Sequence, residues 1–169
     1  MSNLLRGVAV AALALVLLWA TQARAQAPVP FDLVTAAEAK QAALAEAQAQ
    51  ARPPVRTRQV VVPRGNAPAI RVLTPSAADT AVPAPVRIQA AFKPAPGTRI
   101  VPSSFRVLYG LLKIDLTERL RPHSTVNEEG FLVEGAKVPD GQHRLILQVA
   151  DDQGNTTEQE LRIRVAAVP

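Results

Sequence analysis

Acidic and amide side chains that could bind a cation occur at two places late in the chain. Asp140 stands alone, whereas Asp151, Asp152 and Asn155 form a cluster. Calcium takes oxygen ligands of this kind, in sets of about six to eight. Asp140 and Asp151 are eleven residues apart, and an extended strand of that length separates its ends by more than about 30 Å. We therefore predict no metal site, and expect residues 151–155 to close a hairpin turn through Asp and Asn side chains.

Residues that could carry acid–base or nucleophilic catalysis are few and separated. The 169-residue chain has no cysteine and two histidines, His123 and His143, neither of which accompanies a serine and an acid in a nucleophile motif. Glu128 and Glu129 are adjacent and point apart, whereas glycoside hydrolysis needs two carboxyls about 5–10 Å apart across a cleft. Phosphate-binding glycine loops and the dinucleotide fingerprint are absent from the sequence. We predict no catalytic residue, no cofactor and no enzyme activity, and expect His143 to make structural hydrogen bonds.

Aromatic side chains could form stacking platforms for a polysaccharide. Phe92 and Phe105 alternate onto apolar faces and are expected in the core. Tyr109 and Phe131 remain as candidate surface aromatics, and they are the basis of a sugar-binding alternative. Two such residues give this alternative little support. The sequence does not identify the partner-binding residues.

The N-terminus has the pattern of a secretory signal peptide. Arg6 precedes an uncharged, mostly aliphatic run of fourteen residues, 7–20, and Ala23 and Ala25 supply the small residues of a cleavage site. A helix needs about 20 apolar residues to cross the hydrocarbon core, so the run is short for an anchor. We predict cleavage after Ala25 and export to the periplasm or the medium, with an uncleaved anchor as the competing interpretation.

The positive charge of the chain is unevenly distributed. Removal of the leader leaves 17 basic and 14 acidic side chains, a net charge of +3. Four arginines and no acid lie within residues 52–64, whereas residues 66–169 have 12 basic and 11 acidic side chains. The nearly neutral remainder argues against a nucleic-acid-binding face. The arginines of the proline-rich segment 52–67 either contact anionic envelope components or belong to a solvated linker.

A helix is predicted over residues 36–51, because Ala, Glu, Gln and Leu are strong helix formers. Thr35 and Glu38 have the spacing of a capping box, and the Pro-Pro pair at 53–54 ends the run. Leu44 is the only large aliphatic side chain in this stretch. A helix without a bulky apolar face buries little, so we expect a spacer or a loosely docked arm. A partner-binding helix is the alternative.

From residue 69 onward, apolar residues alternate with polar ones, as in half-buried strands. Pro, Gly, Asn and Asp separate the runs, and 151–155 suits an antiparallel hairpin. This pattern predicts a sandwich or barrel rather than a parallel sheet. The seven candidate strands are 70–72, 86–92, 105–109, 113–117, 131–133, 144–149 and 160–165.

Three segments of this region resemble bacterial immunoglobulin-like domains: residues 68–75, 85–88 and, with the pattern G-x-H-x-L-x-L-x-V-x-D-x-x-G-N, 139–155. The resemblance covers roughly residues 68–167 and implies an all-β, immunoglobulin-like antiparallel sandwich of about seven strands. The Cys pair of antibody domains is missing, and the only Trp, Trp19, lies in the leader. The resemblance implies no activity, because such domains serve as spacers, adhesion modules and enzyme appendages.

These inferences give four segments: a signal peptide (1–25), a lead-in with an Ala-rich helix (26–51), a Pro/Arg-rich linker (52–67) and an immunoglobulin-like sandwich (68–167). We expect an exported, non-catalytic module that binds or scaffolds another protein of the bacterial cell envelope, with no transmembrane segment after cleavage. Open sheet edges would allow strand addition. The alternative is an accessory module that binds cell-wall polysaccharide.

Overall fold

The computed structural model describes residues 29–51, 66–76 and 81–166. The predicted signal peptide and most of the predicted linker lie outside these ranges, so both stay predictions. No helix in the described part of the chain is long and apolar enough to cross a membrane.

Two sheets pack face to face as a β-sandwich, as the alternation predicted. The strands are β1 (Phe31–Asp32), β2 (Ala69–Thr74), β3 (Val82–Pro83), β4 (Val86–Lys93), β5 (Ile100–Tyr109), β6 (Ile114–Asp115), β7 (Ser124–Val126), β8 (Gly130–Lys137), β9 (Gly141–Asp151) and β10 (Thr156–Ala166). Helix α1 is Ala36–Ala51, and a short α2 (Thr117–Leu120) continues into a 3-10 turn at Arg121–His123.

The first sheet has the order β1-β8-β4-β2, with β7 also paired to β8, and the second has the order β3-β10-β9-β5-β6. All long strands pair antiparallel; the two-residue strands β1 and β3 pair parallel with β8 and β10. Each of the seven predicted runs contributes to a strand, although 113–117 forms only β6 and the start of α2. Strands β1, β3 and β7 and helix α2 were not predicted.

Alternate residues of the long strands fill the space between the sheets. On β4, the predicted inward face of Val86, Ile88, Ala90 and Phe92 is buried. From the opposite sheet, β9 contributes Leu145, Leu147 and Val149 to the same core. Burial of each of the Val, Leu, Ile and Phe side chains among these stabilises the sandwich by roughly 1.5–3 kcal/mol.

The expectation that α1 is a spacer or a loosely docked arm is wrong for its N-terminal half. Ala42 is 5% exposed and belongs to the main core, together with Leu33 and Val34 of the lead-in. A Cβ placed on Gly110 would lie 3.0 Å from Cβ of Ala42, so the helix approaches the turn after β5 closely. Small residues, rather than the bulky apolar face considered above, provide this contact.

The predicted capping box is confirmed and also docks the helix. The backbone N–H of Thr35 donates to Oε2 of Glu38 at 2.8 Å, and the N–H of Glu38 donates to Oγ1 of Thr35 at 3.2 Å. Both carboxylate oxygens of Glu38 also accept hydrogen bonds from Arg119, at 2.9 and 3.0 Å. The Arg119 hydrogen bond, partly opposed by burial and supported by Thr35, lowers the pKa of Glu38 to about 2.

Candidate interaction surface

The acidic cluster at 151–155 closes a hairpin turn, as predicted. Oδ1 of Asp151 accepts hydrogen bonds from the backbone N–H groups of Gln153 (3.0 Å) and Asn155 (2.8 Å), and Oδ2 accepts one from Nδ2 of Asn155 at 3.0 Å. Burial raises the pKa of Asp151, but the hydrogen bonds from Asn155 and Gln153 outweigh it, so the net shift is downward. Asp140 precedes β9, whereas Asp151 ends it. Among the described residues, no group of three His, Cys, Asp or Glu side chains is placed to hold a metal ion.

His143 makes structural hydrogen bonds, as expected, and its partner corrects one prediction. Tyr109 was a candidate surface aromatic, yet it is 1% exposed. Its hydroxyl lies 2.8 Å from Nδ1 of His143, while Nε2 of His143 lies 2.7 Å from the carbonyl oxygen of Pro139. A carbonyl only accepts, so Nε2 carries the proton and Nδ1 accepts from the Tyr109 hydroxyl.

The surroundings of this pair keep both side chains neutral near pH 7. Burial lowers the pKa of His143, although the Pro139 hydrogen bond and the Glu46 carboxylate act in the opposite direction. Burial also raises the pKa of Tyr109 to about 12, and the charges of Glu46 and Glu38 add to that effect. Because both nitrogens of His143 are occupied inside the protein, this histidine has no free nitrogen for catalysis.

Phe131, the other candidate surface aromatic, is 3% exposed, and its ring centroid lies 4.5 Å from that of Phe105 in the core. The expectation of a sugar-stacking surface on Tyr109 and Phe131 is therefore wrong. Phe31 is half-buried and stacks on His123, with 4.0 Å between the ring centroids. The packed core leaves no aromatic platform on the described part of the sandwich.

The carboxylates of Glu128 and Glu129 lie in the exposed turn between β7 and β8. Asn127 closes this turn: its Oδ1 accepts hydrogen bonds from the backbone N–H groups of Glu129 (3.0 Å) and Gly130 (2.8 Å). The pair therefore belongs to a solvated turn.

A groove of about 590 Å³ lies between the C-terminal half of α1 and the adjoining ends of β9 and β10. We call it the helix groove. Helix α1 approaches the turn after β5 closely where Ala42 meets Gly110, and the residues of its last turn are exposed. The groove is lined by Glu46, Ala49, Gln50, Leu111, Gln142, His143, Arg144, Arg162, Ile163 and Arg164.

Strand register explains why three arginines meet in the helix groove. Arg162 lies directly opposite Arg144, and Arg164 lies opposite Gln142, in the antiparallel pair β9–β10. Directly opposite residues project from the same face of a sheet. The intervening Ile163 and its partner His143 therefore point inward, and both are buried.

Two of these arginines share one carboxylate as their ion-pair partner. Glu160 forms ion pairs with Arg144, at 2.6 Å, and with Arg162. The hydrogen bond from Arg162 is the main reason that the pKa of Glu160 is lowered; burial opposes it, and Arg144 adds to it. Nε of Arg144 is buried without a hydrogen-bond partner in the described part of the chain, and Arg164 has no ion pair there. Arg164 therefore gives the groove a positive charge without a counter-ion in the described part of the chain.

A second cavity, of about 250 Å³, opens between the two sheets on the side of β5 and β7. Its walls include the core residues Phe105, Val107 and Leu120. Its cation, Arg121, is exposed and already paired with Glu118 at 2.8 Å. The helix groove is larger and richer in charged side chains, so it is the better candidate for recognition.

Comparisons with known proteins find similarity among solved structures. No family model matches the chain, and no curated protein matches it. Among solved structures, the crystal structure of CopC from Methylosinus trichosporium OB3b is similar, with 14% sequence identity and a TM-score of 0.40, and the alignment covers 60% of this chain and 97% of that one.

Proposed function

We propose that this chain is an exported, non-catalytic module that binds an acidic segment of another envelope protein in the helix groove. The observation that carries the proposal is a concave surface with three arginines, of which one has no counter-ion among the described residues. Arginine is enriched in protein interfaces, where its guanidinium binds carboxylates in a bidentate manner. Export is supported by the leader pattern of residues 1–25.

The remaining lining suits a peptide better than a small ion. Ala49 and Leu111 offer apolar surface beside Gln50 and Gln142, whose amides donate and accept hydrogen bonds. Glu46, on the helix side, would favour an acidic segment that lies against the sheet rather than against the helix. An enzymatic role lacks support, because the described residues present no nucleophile with an adjacent base.

Site-specific photo-crosslinking in the native host tests this proposal. A photoreactive residue in place of Gln50, at the lip of the helix groove, should give a discrete protein adduct. The same residue in place of Gln153, which is exposed on the distant β9–β10 turn, is the control and should not give that adduct. Identical adducts from both positions, or none from either, would refute the proposal.

Two further variants distinguish binding in the helix groove from nonspecific binding. Ala49→Trp fills the helix groove and should abolish the adduct, whereas Ala47→Trp, on the exposed face of the same helix, should retain it. Because exposed charges are screened by salt, with a Debye length of about 3 Å at 1 M, the yield should fall several-fold at high ionic strength. An adduct yield that changes neither in Ala49→Trp nor at high salt would exclude the helix groove as the binding site.

A further inference from the structure

The two ends of the helix groove differ in chemistry. Leu111, which follows β5, lines the groove and is 39% exposed, and Arg164 of β10 lines it and is also exposed. Strand β9 separates these two ends, because the second sheet has the order β10-β9-β5. One end therefore offers an aliphatic side chain, and the other offers a guanidinium without a counter-ion in the described part of the chain.

The aliphatic end is formed by a tight turn. The backbone N–H of Lys113 donates to the carbonyl oxygen of Gly110 at 3.3 Å, so Leu111 and Leu112 occupy the two corner positions. Turn positions of this kind are most often filled by Gly, Pro, Asn, Asp or Ser. Both leucines are exposed, but only Leu111 lines the groove. The turn thus presents aliphatic surface to a segment that enters the groove.

Glu46 gives this end a negative charge as well. Burial has the largest effect on the pKa of Tyr109 and on that of His143, and the charge of Glu46 acts to raise both. Since Tyr109 is the last residue of β5, the Glu46 carboxylate lies toward the aliphatic end. Glu46 has no ion pair in the described ranges. A second carboxylate is therefore repelled beside Leu111 and attracted beside Arg164.

The strand register sets the distance between the two ends. The N–H of Gly110 donates to the carbonyl oxygen of Arg144 at 2.8 Å, and Arg164 lies opposite Gln142. The Cα atoms of Gly110 and Arg164 are thus two strand spacings apart across the sheet and about two residues apart along it, which gives about 12 Å. An extended peptide advances about 3.3 Å per residue, so about three or four residues cover this distance.

We propose that the segment bound in the helix groove carries an aliphatic side chain that packs on Leu111 and, three or four residues away, an Asp or Glu that pairs with Arg164, while Glu46 disfavours segments with the acid beside the aliphatic residue. This inference rests on the proposed function and adds the spacing that makes the site selective. Attraction by Arg164 alone would accept any acidic segment. A repulsive group such as Glu46 supplies the discrimination between segments.

Selection from a displayed library of random peptides, with the full chain as the immobilised target, tests the spacing. Peptides that the Ala49→Trp variant also retains are discarded, because that variant fills the groove. The enriched peptides should share an aliphatic residue and an acid three or four positions apart. Enrichment of acidic peptides without this spacing would overturn the inference and leave the proposed function standing. Enrichment without acidic residues, or no enrichment, would overturn both.

Double-mutant cycles between an enriched peptide and the protein test the two contacts. Replacing the peptide's aliphatic residue by Ala should weaken binding about fivefold or more to the wild type but have no further effect in Leu111→Ser, as expected for residues in contact. Replacing its acid by the amide should behave in the same way with Arg164→Gln. Losses that add independently would overturn the assignment of these partners.

The matched controls lie next to the site or on the other sheet. Leu112→Ser changes the adjacent corner of the same turn, which does not line the groove, and Arg71→Gln changes an exposed cation on β2. Both should bind the enriched peptide as the wild type does, and a loss as large as that of Leu111→Ser or Arg164→Gln would overturn the inference. In Glu46→Gln, a peptide with the acid moved beside the aliphatic residue should bind more tightly than it binds the wild type. An unchanged affinity would exclude Glu46 as the discriminating group.

Discussion

Replacing Tyr109 by Phe isolates the buried hydrogen bond to His143 and should destabilise the protein by about 2 kcal/mol. The ring keeps its shape and place, and only the hydroxyl that donates to Nδ1 at 2.8 Å is removed. Nδ1 then becomes a buried acceptor without a donor, which costs about 1–3 kcal/mol. With a urea dependence of about 2 kcal/mol per M, the unfolding midpoint should fall by about 1 M.

A double-mutant cycle shows whether this loss belongs to the pair. His143→Leu alone leaves the Tyr109 hydroxyl buried without its acceptor, whereas the double variant removes donor and acceptor together. The double variant should therefore lose at least about 1 kcal/mol less than the sum of the two single variants, within the range of coupling between contacting residues. Additive losses, or a Tyr109→Phe midpoint within about 0.2 M of wild type, would refute the assignment of Nδ1 as the acceptor.

Two predictions concern the docking of α1. Gly110→Val should destabilise the protein by about 2 kcal/mol or more in urea unfolding, because Gly110 has φ +65° and a Cβ there would press on Ala42; a variant as stable as wild type would contradict the close approach. Glu38 should stabilise the protein by the order of 1 kcal/mol at pH 7, since its ion pair with Arg119 is partly screened. The lowered pKa means that this contribution is present above about pH 4.5 and is lost as the pH falls toward 2. The stability difference between wild type and Glu38→Gln should therefore shrink over that interval, and a difference constant with pH would contradict it.

The sequence predicted the elements whose periodicity is long enough to detect. The alternation on β4 and β9 extends over three or more inward residues, and all of these are buried. The strands β1 and β3 have two residues each, and α2 has four, which is only about one period of the strand or helix repeat and too short to show a pattern. Tertiary pairing with neighbouring strands, rather than local sequence, determines these short elements.

Tyr109 is a residue for which the strand alternation gave the correct position but was not followed. Phe105, Val107 and Tyr109 share one parity on β5, so the alternation alone places all three inward, and all three are buried. Tyr109 was nevertheless kept as a candidate surface aromatic, although a buried Tyr needs only one hydrogen-bond partner. That partner, His143, is 34 residues away in the sequence, so no local motif could reveal it.

The sequence pattern that indicates the docking of α1 is weaker than the alternation of the long strands. Ala39, Ala42 and Ala49 follow helical spacing, which gives a narrow stripe of small residues, and Gly110 supplies the matching surface without a side chain. A search for bulky apolar anchors misses such a contact. The helix groove depends on this contact and also on the register of β9 and β10, and its residues extend from Glu46 to Arg164. Sequence spacing could not bring them together.

The position of α1 also decides where this sandwich can bind a partner. The core fills most of the space between the sheets, and the face of a sheet alone is too flat to enclose a ligand, since binding sites are typically concave. The C-terminal half of α1 forms one wall of the helix groove beside the ends of β9 and β10, and the approach of Ala42 to Gly110 holds the helix in that position. Gly110→Val should therefore reduce crosslinking from residue 50 more strongly than its loss of stability explains, at a temperature where the sandwich is still folded. Retention of that adduct, with the helix displaced, would show that the sheet face binds without the helix.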